Sequence, residues 1–404
     1  MRALISPFCA RGTVRAMPSK SIAHRAMIAA SLAKGESVVY PVTDSEDMLA
    51  TRDALEALGA GLHRENDALR ITGKTMPFDT EDLVCRASGS TLRFLVPLCL
   101  ADGKKRLLRG DARLMERPLS VYESLCDTAG LLFEKNAGAL CVQGPLTPGE
   151  YVMPGDVSSQ FISGMLFALP LLPGDSRLVV SGTLESASYV AMTLDVLQAF
   201  GITVVRRGNT FEIGGGQCYQ PCRFEVEGDY SNAAFWEAFN LLGGAVNVTG
   251  LKEKSLQGDR IYQRYFEKLK QKRPELSLAD CPDLAPVLMV AASQLHGARF
   301  IHTRRLAFKE SDRGEAMRQE MKKCGIEVQI SDNEILVDST PATAPKEPIV
   351  SHGDHRIVMA MTVLLSLVGG VIEGAQDVAK SDPHFFETLQ RITEKGCITI
   401  ETES

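Results

Sequence analysis

Two kinds of helical pattern alternate along this chain. In the first kind no face is polar: residues 94–101 read FLVPLCLA, 161–172 FISGMLFALPLL, 284–292 LAPVLMVAA and 357–368 IVMAMTVLLSLV. A helix that is apolar all round is a buried helix. The second kind is amphipathic and stops at a glycine, as in 48–58 before Gly59, 192–200 before Gly201 and 315–324 before Gly325. That pattern predicts surface helices with a glycine C-terminal stop. Short apolar runs follow glycine turns at Gly35, Gly103, Gly174, Gly244, Gly297 and Gly370. They predict strands that include 38–40, 106–108, 178–180, 246–248, 300–302 and 371–373. A short hairpin is expected after each outer helix, as in 202–205 with 210–213. Asn66-Asp67 and Gly208-Asn209 mark two of the turns.

The whole pattern recurs six times at roughly 70-residue spacing, with the fourth unit shorter, so the chain is an internal repeat. Six units divide into three plus three, and 404 residues suit about two domains rather than one core. Each domain then needs three buried helices surrounded by strands and by three outer helices. The mid-chain boundary falls near 226–230, where FEVE (224–227) ends a strand and GDYS (228–231) opens the fourth unit. Strand-like residues at 4–6 and 12–14 precede the first helix and are placed to pair with the last unit. The segment 340–348, TPATAPKEP, reads as a polar loop.

Composition narrows the function classes. The chain is 45% apolar and 23% charged, which is ordinary globular material. A net charge of −6 argues against a general nucleic-acid binder, so any basic site must be local. Cys218 and Cys222 are the only close pair among ten cysteines, and no histidine cluster accompanies them, so no metal site is expected. Scattered thiols suit a reducing cytoplasm. The first fifteen residues lack the apolar core of a signal peptide. Charges and prolines interrupt the apolar helices before about 18 residues, so no membrane span is expected.

Cations collect where elements begin: Lys20, Arg25, Arg93, Arg117, Lys309, Arg313, Arg356 and Lys380. Helix N-termini already favour anions, so these additions point to an anionic, phosphorylated ligand. In MPSKSIAHR (17–25), Lys20 and Arg25 can flank one ligand or form a solvated cap, and His24 reads as a packing or capping residue. In ASGSTLR (87–93), small residues let backbone N–H groups approach an anion, with Arg93 pointing back along the first turn, although Ser-Gly-Ser is also a good N-cap. In ERPL (116–119) the proline suits the first position of a helix, so only Arg117 is informative. The two hydroxyls of GDVSSQ (155–160) exceed the needs of one cap and suit a phosphate or polyol.

In the second half, DCPD (280–283), KESDR (309–313), GDHR (353–356) and KSDP (380–383) mix cations with carboxylates. Asp382 with Pro383 reads as an N-cap pair. Asp283 and Glu310 stand among fixed cations as ion-pair partners or as general acid/bases, and position alone favours the ion pair. No nucleophilic triad, P-loop or His/Cys cluster is legible, so the expected chemistry is acid–base and electrostatic.

PSKSIAHR (18–25), SGSTLRF (88–94), ERPL (116–119), SSQF (158–161), KESDR (309–313), GDHR (353–356) and AKSDP (379–383) form an ordered set. In order and spacing the set resembles the EPSP synthase family, the 3-phosphoshikimate 1-carboxyvinyltransferases, over essentially the whole chain. The resemblance implies an α/β, two-domain enolpyruvyl transferase fold, each domain being three βαβαββ repeats with buried inner helices (an inside-out α/β barrel). It places 1–15 with 229–404 in a discontinuous C-terminal domain and 16–228 in an N-terminal domain, the two closing over substrates. The implied reaction transfers the enolpyruvyl group of phosphoenolpyruvate to the 5-hydroxyl of shikimate 3-phosphate, releasing phosphate. That is a cytoplasmic step of the shikimate pathway to chorismate and the aromatic amino acids, and the target of glyphosate.

Carried over residue by residue, the resemblance implies phosphoenolpyruvate contacts at Lys20, the Gly89 backbone, Arg117, Gln160, Arg313, Arg356 and Lys380. It implies shikimate 3-phosphate contacts at Lys20, Ser21, Arg25, Ser158, Ser159, Gln160, Ser186, Tyr189, Asp283 and Lys309, with Arg93 in support. Asp283, Glu310, Lys380 and Lys20 become the catalytic set. Asp283 and Glu310 are its acid–base pair, against the reading from position alone. No metal or organic cofactor, nucleic acid or membrane partner is implied, and a monomer is expected.

Ala87 stands where the family usually has Asn or Glu, and Arg305 where many members have Asn against the shikimate phosphate. UDP-N-acetylglucosamine enolpyruvyl transferases share the architecture but carry a reactive cysteine, sometimes aspartate, on a mobile loop. Here 109–116 offers only Asp111, and Ser158-Ser159-Gln160 favours the phosphorylated shikimate. A clamp-like scaffold also has six internal repeats, but it should be uniformly basic on one face, without paired carboxylates.

Overall fold

Helix Gly89–Asp102 shows how one repeat is assembled. Ser88 is extended and its side chain accepts the Thr91 N–H, while Gly103 ends the helix at φ 77°, a left-handed conformation that glycine adopts without strain. Nearly every residue between is buried. Pro97 lacks an N–H, which leaves the Arg93 carbonyl without its helical donor. The Tyr122 hydroxyl takes that place, 2.8 Å from Arg93 O. It has room because residue 164 is glycine, where a Cβ would collide with the same hydroxyl.

The structure is a computed structural model, and it describes residues 1–136 and 138–402. The chain divides into two compact units, Pro18–Glu227 and Met1–Met17 with Gly228–Ser404; the expected division lay after residues 15 and 228. Residues 403 and 404, included in the expected C-terminal domain, lie outside the described residues. Each unit ties its own ends together. In one, Ser19 N–H donates to Glu227 O at 2.8 Å; in the other, Asp229 N–H donates to Met17 O at 2.7 Å.

The N-terminal unit has inner helices Lys20–Leu32, Gly89–Asp102 and Ser159–Ala168, the last continued by the 3-10 turn Leu169–Leu171. Its outer helices are Glu46–Ala57, Ser120–Ala129 and Ala187–Ala199. Each repeat owns one four-stranded sheet with a single connectivity. In the second repeat Asp82–Val84 runs parallel to Arg106–Arg109 across the inner helix, and the hairpin Leu132–Lys135/Ala139–Gln143 adds on antiparallel. The third repeat follows suit with Glu150–Pro154, Ser176–Ser181, Thr210–Ile213 and Val204–Arg207. The hairpin strand expected from residue 202 begins at Val204. The first repeat borrows its leading strand, Arg223–Glu225, from the far end of the unit.

The C-terminal unit has inner helices Tyr230–Leu241, Ala285–Gln294 and His355–Val368 and outer helices Tyr262–Gln271, Arg313–Lys323 and Phe385–Arg391. Its first repeat has no hairpin. Helix Tyr262–Gln271 leads within three residues to strand Glu275–Ser277 of the next sheet, so Ala245–Thr249 pairs only with Arg11–Arg15. The expected three full βαβαββ units are thus two and a shortened one. The N-terminal lead-in also splits. Arg2–Ile5 joins the last sheet between Gly370–Glu373 and Ile398–Glu401, as expected, but Arg11–Arg15 serves the shortened repeat instead.

Each unit encloses its own apolar core. Truncating a fully buried inner-helix residue such as Leu98 or Leu288 to alanine should cost about 2–5 kcal/mol. Among the described residues, no helix is long and apolar enough to cross a membrane.

Candidate functional site

In the N-terminal unit, side-chain bonds tie together the starts of two inner helices, Gly89–Asp102 and Ser159–Ala168. Gln160, in the first turn of one, receives Arg93 Nη1 on its Oε1 at 2.7 Å and donates its Nε2 to Ser90 Oγ at 2.9 Å. The Arg93 guanidinium also donates to Pro118 O at 3.1 Å and lies 5.1 Å from the Phe161 ring centre. It therefore reaches across to the neighbouring helix rather than back along its own first turn. Ser158 caps that neighbour through the Gln160 N–H, 3.3 Å away, and Ser159 is buried beside it.

Arg25 is almost fully buried. It donates to Thr193 Oγ1 at 2.7 Å and Ser21 O at 2.6 Å, and its guanidinium sits near Phe94 (5.0 Å) and Tyr189 (5.8 Å). Burial pulls its pKa down to about 10, against a smaller upward effect of Tyr189, so it stays charged at neutral pH. Lys20 is held by Asp47 at 2.6 Å. Ser186 adopts a left-handed φ of 55° just before helix Ala187–Ala199, and its carbonyl accepts the Tyr189 N–H at 3.0 Å.

Arg117 differs from these. It is buried at 8% exposure, its Nε, like that of Arg93, has no hydrogen-bond partner among the described residues, and its guanidinium lies against the first residue of helix Gly89–Asp102. A Cβ at Gly89 would sit 2.7 Å from Arg117 Nη1. Among the described residues no carboxylate pairs with this cation, and a cation so placed at a helix N-terminus suits an anion. Pro118 lies outside the following helix, which begins at Ser120, so Arg117 is held in the extended turn before it. Asp111 caps helix Ala112–Glu116 through the Leu114 N–H at 2.7 Å.

The C-terminal unit gathers into one cluster Asp283, Glu310 and Lys309, all half-buried, around buried Arg313, Asp354 and Arg356. Arg313 is its hub. Nε donates to Asp354 Oδ2 at 2.8 Å, Nη1 to Asp283 Oδ1 at 2.6 Å and Nη2 to Glu310 Oε2 at 2.7 Å. Asp283 also meets Lys309 Nζ at 3.2 Å and Arg356 Nη2 at 3.0 Å. Burial pushes the Asp283 carboxyl up, but Arg356, Lys309 and Arg313 together hold it well below the usual carboxylate range. Lys309 is lowered, chiefly by burial. Arg313 is raised because its carboxylates, Asp354 first, outweigh its burial. Lys380, also buried, ends the 3-10 turn Ala375–Lys380.

The reading of Asp382 changes here. Asp382 does not sit at the helix N-cap: helix Phe385–Arg391 begins three residues later with His384 there, and the Asp382 carboxylate, besides accepting the His384 backbone N–H, turns inward to Asn232. Arg305 donates to the Ala279 carbonyl. Asp354, one of the mixed charges of GDHR, caps its helix through the Arg356 N–H at 2.9 Å. Its grip on Arg313, 41 residues away, leaves no mark in local spacing. Asp47 and Thr193 escaped notice for the same reason: they sit on outer helices, where a carboxylate or hydroxyl looks like surface.

A family model described as EPSP synthase (3-phosphoshikimate 1-carboxyvinyltransferase) matches residues 9–389. The 3-phosphoshikimate 1-carboxyvinyltransferase of Clostridium kluyveri is 38% identical, covering 96% of each chain. That of Clostridium perfringens strain SM101 is 36% identical over 97% of this chain and 98% of the relative. Among solved structures, an EPSP synthase from Acinetobacter baumannii matches with a TM-score of 0.78 at 22% identity over 99% of both chains. The enolpyruvyl transferase NikO from Streptomyces tendae matches with the same TM-score at 14% identity, over 100% of this chain and 99% of that one. At such identities the structural likeness speaks for the fold, while the relatives above 30% and the family model speak for descent. The chain belongs to the EPSP synthase (3-phosphoshikimate 1-carboxyvinyltransferase) family.

Proposed function

We infer that this protein transfers the enolpyruvyl group of phosphoenolpyruvate to the 5-hydroxyl of shikimate 3-phosphate and releases phosphate. The observation that carries this reading is near full-length similarity to relatives bearing that reaction's name. The geometry supports it. The chain's buried cations suit two anionic substrates, and two carboxylates lie within reach of them. Each unit alone carries an incomplete set, so both are needed for turnover.

The reaction forms a C–O bond between the 5-hydroxyl oxygen and C2 of phosphoenolpyruvate, while C3 takes a proton. Breaking the C2–O bond to phosphate and returning the C3 proton gives the enol ether. Arg117, Arg313 and Arg356 supply charge-assisted, bidentate-capable hydrogen bonds for carboxylate and phosphate, with Lys20, Gln160, Lys380 and the Gly89 backbone beside them. Arg25, Ser21, Ser158, Ser159, Gln160, Ser186, Tyr189 and Lys309 hold shikimate 3-phosphate. Asp283 takes the hydroxyl proton, and Glu310 with Lys380 handles protons at C3.

Asp283 as it stands is a weak base, because three cations stabilise its anion. Anionic phosphoenolpyruvate competes for Arg313 and Arg356. As those cations turn to substrate, the Asp283 pKa rises toward a value useful for accepting a proton. Fixed charges in a dry environment also stabilise the tetrahedral species.

The UDP-N-acetylglucosamine reading is disfavoured by Asp111, whose carboxylate is committed to a helix cap. A scaffold reading is disfavoured by the buried Asp283–Arg313–Arg356 cluster, an expensive arrangement for a surface without chemistry. A phosphate-release assay with phosphoenolpyruvate and either acceptor tests all three. Release is expected with shikimate 3-phosphate only; release with the uridine nucleotide sugar, or with neither, would refute the assignment.

A further inference from the structure

The Lys380 turn is anchored by a buried polar chain that neither the repeat pattern nor the reaction accounts for. Asp382, two residues beyond Lys380, is 2% exposed. Its Oδ2 accepts Asn232 Nδ2 at 3.0 Å, from the inner helix Tyr230–Leu241. Asn232 Oδ1 in turn accepts Trp236 Nε1 at 3.0 Å. An indole N–H can only donate, so it fixes which end of the Asn232 amide faces Asp382. Trp236 is the chain's one tryptophan, is 1% exposed, and packs at 4.9 Å on Phe385, just beyond the same turn. The backbone between Lys380 and Asp382 is closed by Ser381 N–H and Asp382 N–H, both donating to Val378 O, at 3.0 and 2.7 Å.

We propose that Asp382 is a positioning residue for Lys380: its carboxylate, moored on Asn232, sets the turn that presents the lysine, and Trp236 reports the mooring. The proposal rests on the phosphoenolpyruvate role of Lys380 given above. The physical case has three parts. A charge-assisted hydrogen bond inside a nearly dry site is stronger and more directional than a neutral one. The turn has few residues through which to absorb a lost anchor. And the chain ends on an inner helix packed on all sides, so the reference point does not move.

The anchor is also poised to titrate. Burial raises the Asp382 carboxyl to about 6; the Asn232 hydrogen bond, the His384 backbone N–H and the His384 ring oppose the rise, and Asp229 adds to it. Those are the charged groups acting on it: His384 in its own turn, and Asp229 at the head of the helix bearing Asn232. The anchor is therefore anionic at neutral pH and is neutralised as the pH falls through about 6. Glu237, next to Trp236 on the same helix, is also raised by burial, and Asp259, which accepts from Ser231 on that helix, is raised to about 7, so Glu237→Gln and Asp259→Asn are the necessary controls.

The test uses the full chain and two readouts. In the first, Trp236 emission is followed from pH 8 to 5 without substrate, because phosphate esters themselves titrate near pH 6. The wild type should show an inflection near 6 that Asp382→Asn abolishes and that Glu237→Gln and Asp259→Asn each retain. In the second, at pH 7.5, Asp382→Ala should raise KM for phosphoenolpyruvate about fivefold or more, with KM for shikimate 3-phosphate within twofold and partial rescue in Asp382→Asn. Persistence of the inflection in Asp382→Asn, or an unchanged phosphoenolpyruvate KM in Asp382→Ala, would overturn the proposal. Absence of turnover in the wild type would instead overturn the functional reading and with it the role of Lys380, while the emission titration would still decide whether Asp382 is the anchor.

Discussion

Gly89 and Arg117 are in such close contact that the one methyl group separating glycine from alanine would lie 2.7 Å from Arg117 Nη1 and 3.0 Å from its Cζ. Gly89→Ala must therefore displace the guanidinium from the helix start. The expected result is a KM for phosphoenolpyruvate raised about tenfold or more and weaker inhibition by its mimic glyphosate, with shikimate 3-phosphate affinity little changed. Steady-state kinetics and inhibition curves check this. Unchanged affinity for both would show that Arg117 and the Gly89 backbone do not hold that ligand.

Arg25→Lys keeps the charge but loses the fork that reaches Thr193 and Ser21 O, and the flat face near Phe94 and Tyr189. KM for shikimate 3-phosphate should rise about tenfold, leaving phosphoenolpyruvate KM within threefold. The opposite pattern would reassign Arg25.

Glu310→Gln preserves an acceptor for Arg313 Nη2 but cannot carry a proton at neutral pH. Turnover should drop about 100-fold or more while both KM values stay within about threefold. A near-normal kcat would leave Glu310 as the ion-pair partner that its position alone suggests.

The Asp283 carboxyl makes a stability prediction with a defined sign. Burial raises its pKa, Arg356, Lys309 and Arg313 lower it by more, and the net folded value lies well below the unfolded one, near 4. Its contribution is therefore present above the unfolded value and is lost as the pH falls through the folded one. Asp283→Asn should cost about 3–5 kcal/mol at pH 7, since Arg356 and Lys309 lose their ion-pair partner and Arg313 keeps only Asp354 and Glu310. Urea denaturation should show that gap narrowing as the pH drops below about 4. A gap independent of pH would mean that Asp283 is not the charge that balances them.

Much of this architecture was legible because the inner helices are apolar on every face, a pattern that only complete burial explains. What escaped was non-local. The fourth repeat lacks its hairpin because three residues, 272–274, separate a helix from the next sheet. The lead-in at 12–14 looked like any other strand, and nothing in Arg11–Arg15 says which partner it takes. In the candidate site the cations announced themselves at element starts. Their partners did not: Asp354, Asp47 and Thr193 lie 41, 27 and 168 positions from the side chains they hold. Asp-Pro before a helix reads as a cap, and only the Asn232 amide across the unit reveals the second partner of Asp382.

Strand Arg2–Ile5 is made long before either strand it pairs with. Ile5 meets Gly370 and Ile398, so 365 residues must follow it before its nearer partner exists. At ribosomal rates of about 5–20 residues per second that is roughly 20–70 s. The whole of Pro18–Glu227 is made within that interval and has all its own strands. Vectorial synthesis thus gives the two units an order: one can complete itself on the nascent chain, while the other holds strand Arg2–Ile5 in reserve until Gly370–Glu373 and Ile398–Glu401 arrive.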